Sequence, residues 1–242
     1  KSRPQYKRFK FEAEEKGVNV FTIWADVGTA TEATQELMDI FGGKKTFDTP
    51  KPSSLLVKIF KLSTSKSSII LDFFAGSGTT GDAVLQLNKE DGGSRSFILC
   101  TDNQDNNGSG LKIATDICYP RVKKVIEGYK NAKGEKMEGL GGNLKYFKTS
   151  FVNAEPSDKN RKKLTEEAVE MLCIKEGAFE VVVDKPMYKV FKNHNHYCGI
   201  VLDQATIGEF KKAISAVGGS ASGGKAKCNA YIFSLTDESF DD

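Results

Sequence analysis

The stretch DFFAGSGTTG at 72–81 sets an acid, Asp72, beside three glycines, Gly76, Gly78 and Gly81, and three hydroxyls, Ser77, Thr79 and Thr80. A turn of this composition brings bare backbone amides up to a small polar ligand, and its neighbours discriminate among the ligands that use one. A nucleoside triphosphate loop requires G-x-x-x-x-G-K-[ST], with a lysine for the outer phosphates. No lysine follows Gly81, and GGKKT at 42–46 and GGKAK at 223–227 miss the pattern, so triphosphate hydrolysis at this loop is excluded. A dinucleotide loop requires G-x-G-x-x-G, which Gly76, Gly78 and Gly81 satisfy, and an acid about 20 positions on for the ribose. Asp102 stands beyond that spacing and is reached if the Glu90–Ser94 turn is an insertion. The third candidate, S-adenosylmethionine, carries an amino group, a carboxylate and a sulfonium cation. Asp72 supplies an acid at a strand end, Gly76 and Gly78 the close approach, and Ser77, Thr79 and Thr80 hydroxyls for the carboxylate. Phosphates are repelled by Asp72 and a cationic ligand is attracted. The sign favours the methyl donor, with the dinucleotide as the alternative.

The elements that must position this turn are legible on either side. SIILDFF upstream is a β-branched, apolar strand, and TGDAVLQLNK downstream has helical spacing and ends at Asp91-Gly92-Gly93. RSFILCTD reads as a second strand, apolar enough to be buried almost throughout. Together they form a β-α-β unit with a parallel strand pair and a right-handed crossover. Before it, Thr34, Glu36, Leu37, Ile40 and Phe41 suit an amphipathic helix stopped by Gly42-Gly43. PSSLLVKIFKLST suits another, with Ser53 or Ser54 as its cap. After it, NQDNNGSG is a loop, Ile113 to Tyr129 is one or two helices interrupted near Pro120, and Gly134 to Gly142 is a linker. The rest reads as a smaller α/β unit: a strand in NLKYFKTSFV, a helix in NRKKLTEEAVEMLCIKEG, and a hairpin of YKVFKN and YCGIVLD across His194-Asn195-His196. A helix in IGEFKKAISAV, a flexible GGSASGG at 218–224 and a strand in CNAYIFSL complete it.

The 242 residues, 39% hydrophobic and 28% charged, are those of a globular chain with one substantial core or two modest ones. A net charge of +3 permits a polyanionic partner without requiring one. No apolar run approaches the roughly 20 residues of a membrane span. The five cysteines are scattered, with no C-x-x-C. This argues against a disulfide framework or a zinc site and makes the cytoplasm the default compartment.

DFFAGSGTT, preceded by FDTPKPSSLL, resembles the cofactor half of amino-methylating DNA methyltransferases of the beta class. Phe74-Ala75-Gly76-Ser77-Gly78 matches their F-x-G-x-G, and Lys51-Pro52 matches the K-P that opens the preceding helix. The run TIWADVGTATEATQELMDIFGGKKTFDTPKPSSLL is most similar to modification subunits of type III restriction–modification systems. The resemblance covers about residues 20–130. It implies a partial α/β sheet of the class I S-adenosylmethionine-dependent methyltransferase, Rossmann-like kind, followed by the smaller α/β unit. The implied segments are 1–45 following a target-recognition region, 46–133 binding S-adenosylmethionine, and 145–242 at the C-terminal end. Asp72, Phe74, Gly76, Ser77, Gly78 and Thr79 are implied to line the methionine part of the cofactor, and Asp48, Thr49, Lys51 and Ser53 to reach it from the other side. Asp102 is implied as the ribose acid, with Thr101 and Asn103 as alternatives. The implied reaction is methyl transfer to N6 of adenine in double-stranded DNA, with a second modification subunit and a restriction subunit as partners.

The family's catalytic [DN]-P-P-[YFW] motif precedes its K-P segment, accepting hydrogen bonds from the flipped base and stacking on it. No two prolines are adjacent in this chain, and only residues 1–50 precede Lys51. The expectation is therefore a C-terminal portion with no catalytic residues of its own, unable to methylate DNA alone. A dinucleotide-dependent oxidoreductase domain and a silent DNA-binding or assembly module are the competing readings. Trp24 reads as a packed anchor and His194-Asn195-His196 as a polar turn, with no metal. Lys1, Arg3, Lys7, Arg8 and Lys10 suit phosphate contacts or a solvated terminus equally.

Overall fold

Thr29 and Glu32 start the first helix, α1 (Ala30–Ile40), with a reciprocal capping box: the Thr29 N–H donates to Glu32 Oε2 at 2.7 Å and the Glu32 N–H to Thr29 Oγ1 at 3.3 Å. Gly42 and Gly43, both at positive φ, end it. The computed structural model describes residues 20, 22–155, 157–193, 195–218 and 227–233. The second helix, α2 (Ser53–Ser63), is capped by extended Pro52, which offers no side-chain acceptor. Neither Ser53 nor Ser54 caps it as the sequence suggested. Ser53 is already the first helical residue, and Ser54 Oγ accepts the Gly28 N–H at 2.8 Å instead.

Strand β1 (Ile69–Asp72), helix α3 (Thr79–Asp91) and strand β2 (Ser96–Leu99) form the expected unit. The strands pair in parallel, from Ile69 opposite Ser96 to Asp72 opposite Leu99. Helix α3 is the centre of this half of the chain. Ala83, Val84 and Leu87 pack with Phe60 of α2 and Ile70 of β1, while Leu85 packs with Ile40 of α1 and with Val122 and Val125. The helices cover only one face of the strand pair. On the other, Ile69, Leu71 and Ile98 are 70%, 50% and 44% exposed, so β2 is not buried throughout as its composition suggested.

Residues 113–118 make a wide π-type turn that passes into α4 (Tyr119–Glu127), with Pro120 in its first turn, where a missing N–H is tolerated. The stretch expected as a linker instead closes an antiparallel hairpin, β3 (Gly128–Lys130) with β4 (Lys136–Glu138). Its glycines serve close approach: a Cβ on Gly139 would lie 2.2 Å from the Ile126 carbonyl oxygen. The Leu140 and Gly141 N–H groups then donate to the carbonyls of Val125 and Ile126 at 2.9 and 3.1 Å. NLKYFKTSFV, expected as a strand, has no strand partner and is irregular.

The chain divides between Phe147 and Lys148 into two compact units. In the second, α5 (Asp158–Glu176) starts at a Ser157 cap. It is followed by β5 (Glu180–Asp184), β6 (Tyr188–Lys192), β7 (Tyr197–Val201), α6 (Ile207–Gly218) and β8 (Cys228–Ile232). The sheet order is β5-β6-β7-β8, antiparallel except for the parallel pair β7 and β8. Val169 and Cys173 of α5 pack with Phe191, Cys198 and Ile200, and Phe210 of α6 packs with Tyr188, Val190 and Val201. Strand β5 was not anticipated, because EVVVD lacks alternation and carries a register shift between Val181 and Val183. The basic residues Lys1 to Lys10, His194 and most of GGSASGG lie outside the described residues.

Leu87→Ala leaves a cavity between α3 and α2. The expected loss is about 2–5 kcal/mol of stability, read from denaturant unfolding of the first unit.

Candidate cofactor site

The glycine turn leaves β1 at Asp72 and enters α3 at Thr79. Asp72 is half-buried. Its Oδ1 accepts the Phe74 N–H at 3.0 Å and its Oδ2 the Thr80 hydroxyl at 2.5 Å. Gly76 and Gly78 have φ of 51° and 81°, a region that L side chains enter at a cost. Gly78 is also pinned by space, since a Cβ there would sit 3.1 Å from the Cys118 carbonyl oxygen. Burial pushes the Cys118 thiol up to about 11, which keeps it protonated and inert under the turn. The first amides of α3 have no partner within the helix, and the residues that carry them are buried.

The hydroxyls of this loop do not face outward. Ser77 and Thr79 are buried and accept from Arg121 Nη1 at 3.3 and 2.8 Å, and Thr80 is taken by Asp72. Arg121, of α4, is 0% exposed. Its Nε and Nη2 both donate to Asp82 Oδ2, at 3.2 and 2.8 Å, and Nη2 also reaches Glu36 Oε1 of α1 at 3.2 Å. Glu36 Oε2 accepts the Ser53 N–H at 3.3 Å. Burial pushes the Glu36 carboxyl above its usual range, against the pull of Ser53 and Arg121. A cavity of about 220 Å³ opens beside Glu36 and Asp82, bounded by Ile40, Gln86, Val125 and Tyr129.

A third segment closes on the turn from the residues before α2. The Phe47 ring lies against Gly76, 3.4 Å from where a Cβ would stand. Buried Asn106, in the loop after β2, donates through Nδ2 to the Thr46 carbonyl at 3.0 Å, and Asn107 donates to Asp48 Oδ2 at 3.1 Å. Asn107 and then Lys45 hold the Asp48 carboxyl below its usual range. The glycine turn, residues 45–48 and the loop after β2 thus meet at the carboxyl ends of β1 and β2, the position at which open α/β sheets bind ligands.

Among the residues singled out in the sequence, Asp72, Gly76, Gly78 and Asp48 are brought together here. Ser77 and Thr79 belong to the turn but point inward. Ser53 is buried at the start of α2 and joined to the turn through Glu36 and Arg121. Thr49, Lys51 and Asp102 are exposed on the connections before α2 and after β2. Phe74 is 94% exposed, with its ring outside any packing contact of consequence. Trp24 is half-buried, with Lys58 Nζ over its ring at 5.1 Å. Sequence reasoning missed Arg121 and Asp82, and took Glu36 only as part of a helix. The signal was present: Glu36 falls between Ala33 and Ile40, and Arg121 between Ile117 and Val125, at helical spacing on buried stripes. A charge in such a place requires a buried partner.

Known proteins resemble the first unit over most of its length. A family model described as DNA methylase matches residues 1–106. Over this segment the chain is similar to DNA methylases. The chain is 49% identical over 124 residues to the type III restriction-modification enzyme StyLTI Mod subunit of Salmonella typhimurium, an alignment covering 49% of this chain and 19% of that protein. It is 48% identical over 114 residues to the EcoPI Mod subunit of Escherichia phage P1, covering 44% and 17%. With the type II methyltransferase M.KpnI of Klebsiella pneumoniae it shares 38% over 135 residues, covering 53% and 32%. The chain therefore spans a third or less of the curated relatives it matches. The DNA methylase match ends at residue 106, before Arg121.

A second polar cluster lies in the second unit. Glu176, at the end of α5, accepts from Asn229 Nδ2 at 2.7 Å and from the Tyr231 hydroxyl, and is 2.8 Å from His196 Nε2. It fastens α5 to the residue before β7 and to β8. The hydrogen bond from Tyr231, then that from Asn229, hold its carboxyl down to about 2. Among the described residues no group of three or more His, Cys, Asp and Glu is placed to hold a metal ion.

A carboxyl lowered in the folded state contributes stability that is present above its ordinary value of 4.5 and lost as pH falls towards about 2. The stability difference between the unaltered chain and Glu176→Gln should therefore shrink steadily across that window, as measured by denaturant unfolding at a series of pH values.

Proposed function

We propose that the first unit is the methyl-donor half of a DNA methyltransferase of a restriction–modification system, and that it binds S-adenosylmethionine at the glycine turn. The observation that carries this reading is the meeting of Asp72, the bare turn at Gly76 and Gly78, and residues 45–48 in a segment that matches DNA methylases. Asp72 attracts the cationic end of the donor. The free amides at the start of α3 and exposed Lys51 serve its carboxylate. Asp102 and its neighbours on the loop after β2 take the ribose. The parallel pair β1–β2 joined through α3 fits part of a class I methyltransferase sheet, and its open face of Ile69, Leu71 and Ile98 fits burial against further strands or helices.

When bound, the donor would supply a methyl group to the N6 amine of adenine, and this chain would hold it within about 3 Å of that amine. The amine takes the methyl group, the C–S electron pair stays on sulfur, and the amine proton leaves to a base. The chain holds no Asp-Pro-Pro or Asn-Pro-Pro to accept that amine's hydrogen bonds. Its own part is donor positioning. The relatives named as modification subunits support double-stranded DNA as substrate and a second modification subunit and a restriction subunit as partners. Residues 148–242 are the proposed site of subunit assembly. Among the described residues no helix is long and apolar enough to cross a membrane.

Titration calorimetry and thermal unfolding test the assignment. S-Adenosylhomocysteine at a hundredfold excess over its Kd should stabilise the chain by about 2.7 kcal/mol, and NAD should leave it unchanged. Asp72→Asn should weaken that binding about tenfold or more, the loss of a charge-assisted contact. Stabilisation by NAD alone would transfer the site to the dinucleotide class. Donor-dependent methylation of duplex DNA by this chain alone would place the missing amine acceptor within it.

A further inference from the structure

Glu36 and Arg121 lie outside the residues assigned to the donor, and the way they are bonded gives them a task of their own. Helix α2 begins at Pro52, which has no acceptor to cap it. Its first amide, Ser53 N–H, donates instead to Glu36 Oε2 from α1. The other oxygen of the same carboxylate receives Arg121 Nη2, and Arg121 Nη1 holds the Ser77 and Thr79 hydroxyls of the glycine turn. Asp82 takes Nε and Nη2 together, so the planar guanidinium cannot rotate and its remaining N–H directions are fixed. One unbroken line of charge-assisted bonds therefore runs from the start of the Lys-Pro helix to the glycine turn. Arg121 has no exposed surface, and both Glu36 oxygens are directed at protein donors.

We propose that Glu36 and Arg121 are positioning residues, a strut that sets the spacing between the two walls of the donor site. This rests on the donor-binding reading. The wall carrying Lys51 and Ser53 and the wall carrying Asp72 to Thr79 approach the same ligand from opposite sides, so their separation governs whether both engage at once. Glu36 is the joint. A carboxylate at a helix N-terminus is stabilised by the helix dipole as well as by Arg121. It therefore prefers the arrangement in which both contacts are made.

Glu36→Gln tests this in the 242-residue chain. The amide keeps the size of the carboxylate but offers one acceptor where two are needed. With the fold confirmed by circular dichroism and a cooperative melt, S-adenosylhomocysteine binding measured by calorimetry should weaken about tenfold or more. A merely structural role is separated by a double-mutant cycle with Lys51→Ala. In the unaltered chain Lys51→Ala weakens binding. In the Glu36→Gln background it should have little further effect, because the wall that carries Lys51 has already drifted. Unchanged affinity in Glu36→Gln, or a Lys51→Ala effect that persists in full beside it, overturns the strut. If Glu36→Gln does not fold, Glu36→Asp replaces it in the same cycle. It keeps the charge beside Arg121 and loses the reach to Ser53, and the same two outcomes decide. Failure of the unaltered chain to bind S-adenosylhomocysteine would instead remove the donor reading itself.

Discussion

A guanidinium with no exposed surface is the constraint around which the first unit is organised. Burying a charge is unfavourable by several kcal/mol unless partners surround it, and removing one partner of such a pair costs about 3–5 kcal/mol. Arg121 therefore admits few arrangements of its neighbours. Asp82 must face it from α3, Glu36 from α1, and the hydroxyls of Ser77 and Thr79 must turn inward from the glycine loop. The conformation of the loop follows: with its polar side chains drawn into the protein, it presents backbone outward. Asp72 is left half-buried at the strand tip, bonded to the Phe74 N–H and the Thr80 hydroxyl.

The same logic explains why the turn needs glycine at particular places. Gly78 starts α3 at positive φ and lies against the Cys118 backbone, and Gly81 meets Val122 of α4, with a Cβ position only 2.9 Å from its Cγ2. Helices α3 and α4 must come this close for Arg121 to reach Asp82. The pattern read first as a ligand signature is thus in part a packing requirement of the residues beneath it. A loop held tightly from below is a rigid surface, as the proposed donor site requires.

Much of this was legible in the residues. Apolar runs bounded by glycine gave β1, α3, β2 and the β6–β7 hairpin, since their periodicity is local. The β3–β4 hairpin and β5 were missed because glycine content and a run of valines carry no period, although both pair with strands close by in sequence. NLKYFKTSFV has strand composition but joins none of the described sheets and is irregular. In the site, Asp72, Gly76 and Gly78 could be named from spacing and charge. The direction in which Ser77 and Thr79 point could not, because it is decided by Arg121 more than 40 positions away. The second unit was recognised as α/β, but Glu176 went unremarked: its partners, His196 just before β7 and Asn229 and Tyr231 of β8, are brought to it only by folding.

The half-covered strand pair bears on how the polypeptide behaves in solution. Two parallel strands are held by the helices behind them, not by each other, since so small a sheet has little stability alone. A row of Ile69, Leu71 and Ile98 beside an unpaired strand edge is the kind of surface on which chains stack and precipitate. Lys66 before it and Asp72 after it are charged gatekeepers at either end of that row, where they oppose growth of such stacks. Colloidal behaviour thus becomes a property of five residues at the front of the sheet, separable from the buried ion network that shapes the loop behind.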